Sequence, residues 1–145
     1  MRTPFLFLLL VGTLSALNSW AQPNWQKEIE TKANSLLPKV IEWRRYIHAH
    51  PELGNREYKT MEYIAAHCRA LGLTVTTGVG KTGVVALLKG GKPGPVVALR
   101  ADIDALPVLE RTDVPFKSTV VAEYNGQQVP VMHACGQDSY IARRR

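Results

Sequence analysis

Leu73-Thr74-Val75-Thr76-Thr77-Gly78-Val79 alternates along the chain. Gly83-Val84-Val85-Ala86-Leu87-Leu88, which follows closely, is an unbroken apolar run rich in β-branched residues. The first pattern has the two-residue period of a strand, and the second reads as a strand covered on both faces. Gly90-Gly91-Lys92-Pro93-Gly94-Pro95 is a turn, and Val96-Val97-Ala98-Leu99-Arg100 is expected to be a third short strand. What lies upstream has a different period. Ile29, Ala33, Leu36, Val40, Trp43 and Ile47 recur at spacings of three and four, as do Met61, Ile64, Ala65, Cys68 and Leu71. Two amphipathic helices followed by strands predict an α/β fold, with helices packed on a mixed β-sheet.

Pro38 falls inside the first helical pattern without shifting its phase, so one kinked helix is expected. Gly72 supplies the stop of the second helix. Between the two lies His48-Ala49-His50-Pro51-Glu52-Leu53-Gly54, a helix stop and a tight loop. Its histidines and glutamate could bind a metal, or they could tie a buried loop together by hydrogen bonds, the reading that spacing favours. Cys68 reads as a core residue and His67 as a surface one.

Downstream, the third apolar run leads into Arg100-Ala101-Asp102-Ile103-Asp104-Ala105-Leu106-Pro107. Carboxylates at the end of a buried strand occupy the edge where α/β folds place ligands, although aspartates before a proline also form turns. Phe116–Tyr124 and Gln127–Met132 flank Asn125-Gly126, a strong hairpin signal. The second arm leads into Met132-His133-Ala134-Cys135-Gly136-Gln137-Asp138, where a strand gives way to a helix. Thiolate, imidazole and carboxylate are ligand types that zinc accepts, while a lone cysteine and histidine also serve as ordinary core residues.

With 145 residues the chain has room for one domain with a core. Its net charge of +6 is concentrated in part in Arg143-Arg144-Arg145. Arg44-Arg45 lacks a basic stripe or stacking aromatics around it, which argues against nucleic-acid binding and for a solvated helix face. Met1-Arg2, the apolar run from Phe5 to Val11, and Ser19-Trp20-Ala21 read as a signal peptide cleaved after Ala21. Residues 22–145 are then expected to be exported, to the periplasm or outside the cell, with no membrane anchor.

Three stretches in one order carry a resemblance: Trp43 through Gly54, Leu99 through Pro107, and Met132 through Gly136. Together they resemble the N-terminal part of the M20 metallopeptidase family, in the amidohydrolase branch that includes hippurate hydrolases and N-acyl-amino-acid amidohydrolases. The resemblance implies a partial catalytic domain of α/β type and a parent reaction that hydrolyses the amide bond of a small N-acyl amino acid or peptide. It also implies two divalent ions, zinc or manganese, with a glutamate as base. Cys135 matches a metal ligand, and Asp102 stands at a ligand position that is histidine in other branches. Asp104 matches the aspartate of the catalytic machinery that orients that ligand. Gln137 stands where the family motif has a ligand histidine, and Tyr140 where it has the next one. A glutamine amide oxygen is a neutral, weaker donor, so metal binding through Gln137 is expected to be weak.

The family's glutamate pair, later histidines and inserted domain, through which members often form homodimers, have no counterpart in these 145 residues. The expectation is therefore an N-terminal fragment, inactive by itself. A rival reading is a non-catalytic binding or regulatory partner of a longer homologue. A third, a thiol enzyme built on Cys135 with His133 or His48, requires a reactive thiolate.

Overall fold

A computed structural model describes residues 25–144, so the signal peptide expected at residues 1–21 lies outside the described residues. Helix α1 runs without interruption over Trp25–Ala49 with Pro38 inside it. It crosses between two compact units, which divide after Ser35. In the first unit, α1 is held by its own side chains. The Lys32 ammonium pairs with Glu28 at 2.7 Å, and the Thr31 hydroxyl donates to the Lys27 carbonyl. In the second unit, the same helix buries only Ile47 and His48. Much of the apolar stripe is open to solvent: Ile29, Ala33 and Leu36 are all exposed.

Helix α2 spans Tyr58–Ala70 and buries Ala65 and Cys68. Its end is a Schellman turn. The Gly72 amide donates to the Arg69 carbonyl and the Leu73 amide to the Cys68 carbonyl, while Gly72 takes a φ of 77° that a side chain would resist. Leu71, expected on the inner face, is instead exposed, because the helix ends one residue before it. The start of α2 is capped from outside. The Glu52 carboxylate accepts from the Lys59 and Thr60 amides at 3.2 and 2.7 Å and from the Thr60 hydroxyl at 2.9 Å.

Strands β1 (Thr74–Val79) and β2 (Gly83–Leu87) pair antiparallel, with Thr74 opposite Leu87, and α2 packs on both. Buried Glu57, just before α2, ties on the hairpin turn by accepting the Thr82 hydroxyl at 2.5 Å. Strands β3 (Val121–Tyr124) and β4 (Gln127–Pro130) form a second hairpin. Asn125 and Gly126 both have positive φ, 53° and 76°, as a type I′ turn requires. Helix α3 covers Gln137–Arg144, and Gly136 with φ 76° turns the chain into it.

The strand expected over Val96–Arg100 does not form: residues 88–104 have no regular structure. An apolar, β-branched run has strand propensity, but a strand exists only where a neighbour takes up its backbone groups. Among the described residues nothing pairs with this run. Val96, Val97 and Leu99 are 90%, 80% and 78% exposed.

Regular pairing resumes at Ala105. Leu53 bridges Ala105 in parallel, and Leu106 bridges Met132 antiparallel, so pairing of both senses meets at two consecutive residues. Leu53, Ala105 and Val131 form the core there, with Val120, Ala122 and Val129 packed against them. No helix among the described residues is long and apolar enough to cross a membrane.

Candidate metal centre

The bridges at Ala105 and Leu106 draw together the three stretches that carry the resemblance. The Ala105 amide donates to the Glu52 carbonyl at 2.8 Å. Leu106 and Met132 exchange amide-to-carbonyl bonds at 3.0 and 3.1 Å. This stitching holds Asp104, one residue ahead of the parallel bridge, beside Gly54, where a Cβ would lie 3.9 Å from the Asp104 carboxylate. It also places His133, one residue beyond the antiparallel bridge, in the interior at 3% exposure.

Asp104, His133 and Gln137 form a polar pocket. The Gln137 amide points its Nε2 at Asp104 Oδ1 across a long 3.5 Å, which leaves Gln137 Oε1 buried with no partner among the described residues. Neither ring nitrogen of His133 has a hydrogen-bond partner there either. Burial pushes the His133 pKa below its usual value. The nearby charges of Asp138 and Asp104 oppose that shift, and His48 adds to it, so the ring is held neutral at pH 7.

Asp102 and Cys135 lie differently. Asp102 faces solvent and pairs with Arg100, whose Nη2 is 2.8 Å from Oδ1. Cys135 is exposed with a free thiol, whereas the free thiol of Cys68 is buried, as a core position predicts. Among the described residues no three His, Cys, Asp or Glu side chains converge to hold a metal ion. The orphaned lone pairs of His133 and Gln137 are of a kind that divalent ions accept. With Asp104 as the carboxylate beside them, they fall short of the ligands one closed site needs, and further short of two. The donor set present does not fit a two-ion centre.

Beside this pocket lies a buried network that sequence reading missed. His48 Nε2 is 2.9 Å from Glu110 Oε1, and its Nδ1 is 3.0 Å from Asp138 Oδ2. Arg44 Nε donates to the same Asp138 oxygen at 2.9 Å. The Arg44 and Arg45 guanidiniums lie 5.3 and 5.0 Å from the centre of the Phe116 ring. Arg44 is thus half-buried against this network, while Arg45 stays exposed, as the solvated-face reading expects. Burial by itself would raise the Glu110 pKa. Hydrogen bonds from Thr112, His48 and the Ser118 amide, together with the His48 charge, outweigh it and lower the value from 4.5 to about 2. His50 is tied locally: its Nδ1 lies 2.7 Å from the Tyr46 carbonyl, and its ring stacks on Tyr46. His48, His50 and Glu52 thus hold structure together, as the hydrogen-bonding reading of that loop expects.

No family model matches the chain. Individual proteins do, however; most are amidohydrolases, hydrolases or carboxypeptidases by name, and one is a putative glutamate–cysteine ligase. The chain is 50% identical over 104 residues to thermostable carboxypeptidase 1 of Saccharolobus solfataricus, covering 71% of this chain and 24% of that one. It is 39% identical over 117 residues to an N-acyl-L-amino acid amidohydrolase of Geobacillus stearothermophilus, covering 81% and 30%. Among solved structures, a Bacillus subtilis dinuclear metal-binding peptidase from the M20 family superposes with a TM-score of 0.65 at 39% identity, covering 75% of this chain and 29% of that one. The fold is α/β, and it is similar to one part of these larger proteins. The matched part of the chain is a partial M20-family domain, and the chain spans 24% to 30% of the length of these relatives.

Proposed function

We propose that the chain is a portion of a metal-dependent amidohydrolase whose whole reaction is hydrolysis of an N-acyl-amino-acid or peptide amide bond. The observation that carries this reading is the stitching of the three motif stretches at Ala105 and Leu106, which turns Asp104 and Gln137 toward one pocket. Within it, Asp104 is the positioning residue: its carboxylate holds the side chain at position 137. Cys135 is the thiolate donor for a divalent ion, and Asp102 would have to release Arg100 to join it. Completed by donors from the rest of the protein, such a site would supply an ion able to polarise an amide carbonyl and activate water. Residues 1–21 support export of the protein.

Because the donor set does not fit two ions, these 145 residues are proposed to be inactive by themselves. The test is a chimera in which residues 25–142 replace the matching segment of the Bacillus subtilis M20 peptidase. Assays would use N-acetyl amino acids and N-benzoylglycine with added zinc or manganese. The Gln137→His chimera is expected to hydrolyse them, and the Gln137 chimera to need at least tenfold more metal for the same rate. The isolated chain should do neither. Failure of both chimeras, each folded, would remove the hydrolase reading. Turnover by the isolated chain would remove the inactivity.

A further inference from the structure

Gln137 and Asp138 open α3, and the two are held with very different force. The Gln137 amide meets Asp104 at 3.5 Å, the limit of a hydrogen bond, so this contact is too weak to fix where the helix begins. Asp138 is 1% exposed, and its Oδ2 accepts from His48 Nδ1 at 3.0 Å and from Arg44 Nε at 2.9 Å. Charge-assisted bonds of this kind are about twice as strong as neutral ones. The seat of the first turn of α3 is therefore set at residue 138, and the side chain at 137 inherits its place.

His48 can hold Asp138 only while its ring keeps one orientation. What the second ring nitrogen meets decides that orientation, and here Nε2 faces Glu110 Oε1 at 2.9 Å. Phe116 closes on the same ring edge-on, with centroids 5.7 Å apart. Glu110 is itself fixed: Oε2 accepts from the Ser118 amide at 2.6 Å, and Oε1 accepts from the Thr112 hydroxyl. Glu110, His48 and Asp138 thus form a series of buried contacts that runs from the stretch between Pro107 and Pro115 to the edge of the pocket.

We propose that Glu110 is a positioning residue: acting through His48 and Asp138, it sets where the side chain at position 137 stands in the pocket beside Asp104. Its bearing on hydrolysis rests on the hydrolase reading, whereas the placement itself does not.

The test follows the side-chain amide signal of Gln137 by heteronuclear NMR in the isotope-labelled full chain, where Q137H identifies it by its loss. E110A should displace the signal, and E110Q, which keeps an acceptor for His48, should displace it less. E52A removes the cap of α2 and lowers stability without touching this series, so it should leave the signal in place. T112V takes away an exposed donor to Glu110; the smaller displacement expected there keeps the test decisive should E110A not fold. In the Gln137→His chimera, competition with a chromophoric chelator should show zinc held about tenfold more weakly after E110A and unchanged after E52A. A Gln137 signal unmoved by E110A and T112V, equal movement by E52A, or a zinc affinity that E110A does not alter would overturn the proposal. A chimera that shows these shifts and binds zinc but hydrolyses nothing would remove the hydrolase reading and leave the placement supported.

Discussion

His48 Nδ1 sits 3.0 Å from Asp138 Oδ2, joining the end of α1 to the first turn of α3 across 90 residues of sequence. Both side chains are nearly sealed from solvent, and the other ring nitrogen reaches Glu110. One imidazole therefore fastens three separate parts of the chain. Removing a member of such a buried set leaves the others without a partner at low dielectric. D138A is expected to lower stability by about 3 kcal/mol, read as a shift of the urea midpoint. R44A, which removes a partner that is 40% exposed, should cost under about 1 kcal/mol.

The acid dependence of stability should carry the mark of Glu110. Its carboxyl is a stronger acid in the folded chain than in the unfolded one, so its contribution is complete above the ordinary value of 4.5. That contribution is lost as pH falls from there through about 2. Midpoints measured between pH 5 and pH 2 should fall, and E110Q should flatten that fall while starting from a lower value at pH 7. An unchanged slope in E110Q would assign the acid sensitivity elsewhere.

Glu52 acts at a helix end rather than at a metal. E52A should cost about 1 kcal/mol, the usual loss for a removed cap. E52Q keeps an oxygen acceptor for the Lys59 and Thr60 amides and should cost less. Greater loss from E52Q than from E52A would contradict capping.

The two thiols should differ in access. Iodoacetamide is expected to modify exposed Cys135 in the native chain and to reach Cys68, 7% exposed, only as the fold opens. Peptide mass mapping over a time course separates the two. Equal rates under native conditions would mean that α2 is not seated on its hairpin.

Local chemistry made much of the fold legible. Asn125-Gly126 announces a hairpin because few other residues tolerate two successive positive φ angles, and Gly72 marks a helix stop for the same reason. Glu110 shows the limit. It stands in a stretch between Pro107 and Pro115 with no periodic pattern, and its partner His48 lies 62 residues away, so nothing near it in sequence signals burial. Val96–Arg100 fails in the opposite direction. Its composition states a preference for strand, but strand formation depends on a neighbour that composition does not encode. In the pocket, the ligand-type residues were visible as a motif. That Asp102 turns to Arg100 while Asp104 turns to Gln137 depends on which residue precedes the bridge at Ala105, a register the sequence leaves open.

Ala105 and Leu106 fasten Leu53 on one side and Met132 on the other, which makes residues 56–103 and 108–130 two excursions pinned at their ends. Length is free to drift within either excursion, since inserted residues lengthen a loop whose ends stay fixed, at a cost that grows only with the logarithm of loop size. An insertion at the pins has no such freedom. One residue added between Asp104 and Ala105 would withdraw the carboxylate from Gln137, and one added between Met132 and His133 would swing the imidazole out of the interior. Natural variation in this architecture should therefore accumulate as gaps inside the excursions, with the spacing across 104–106 and 132–133 held constant.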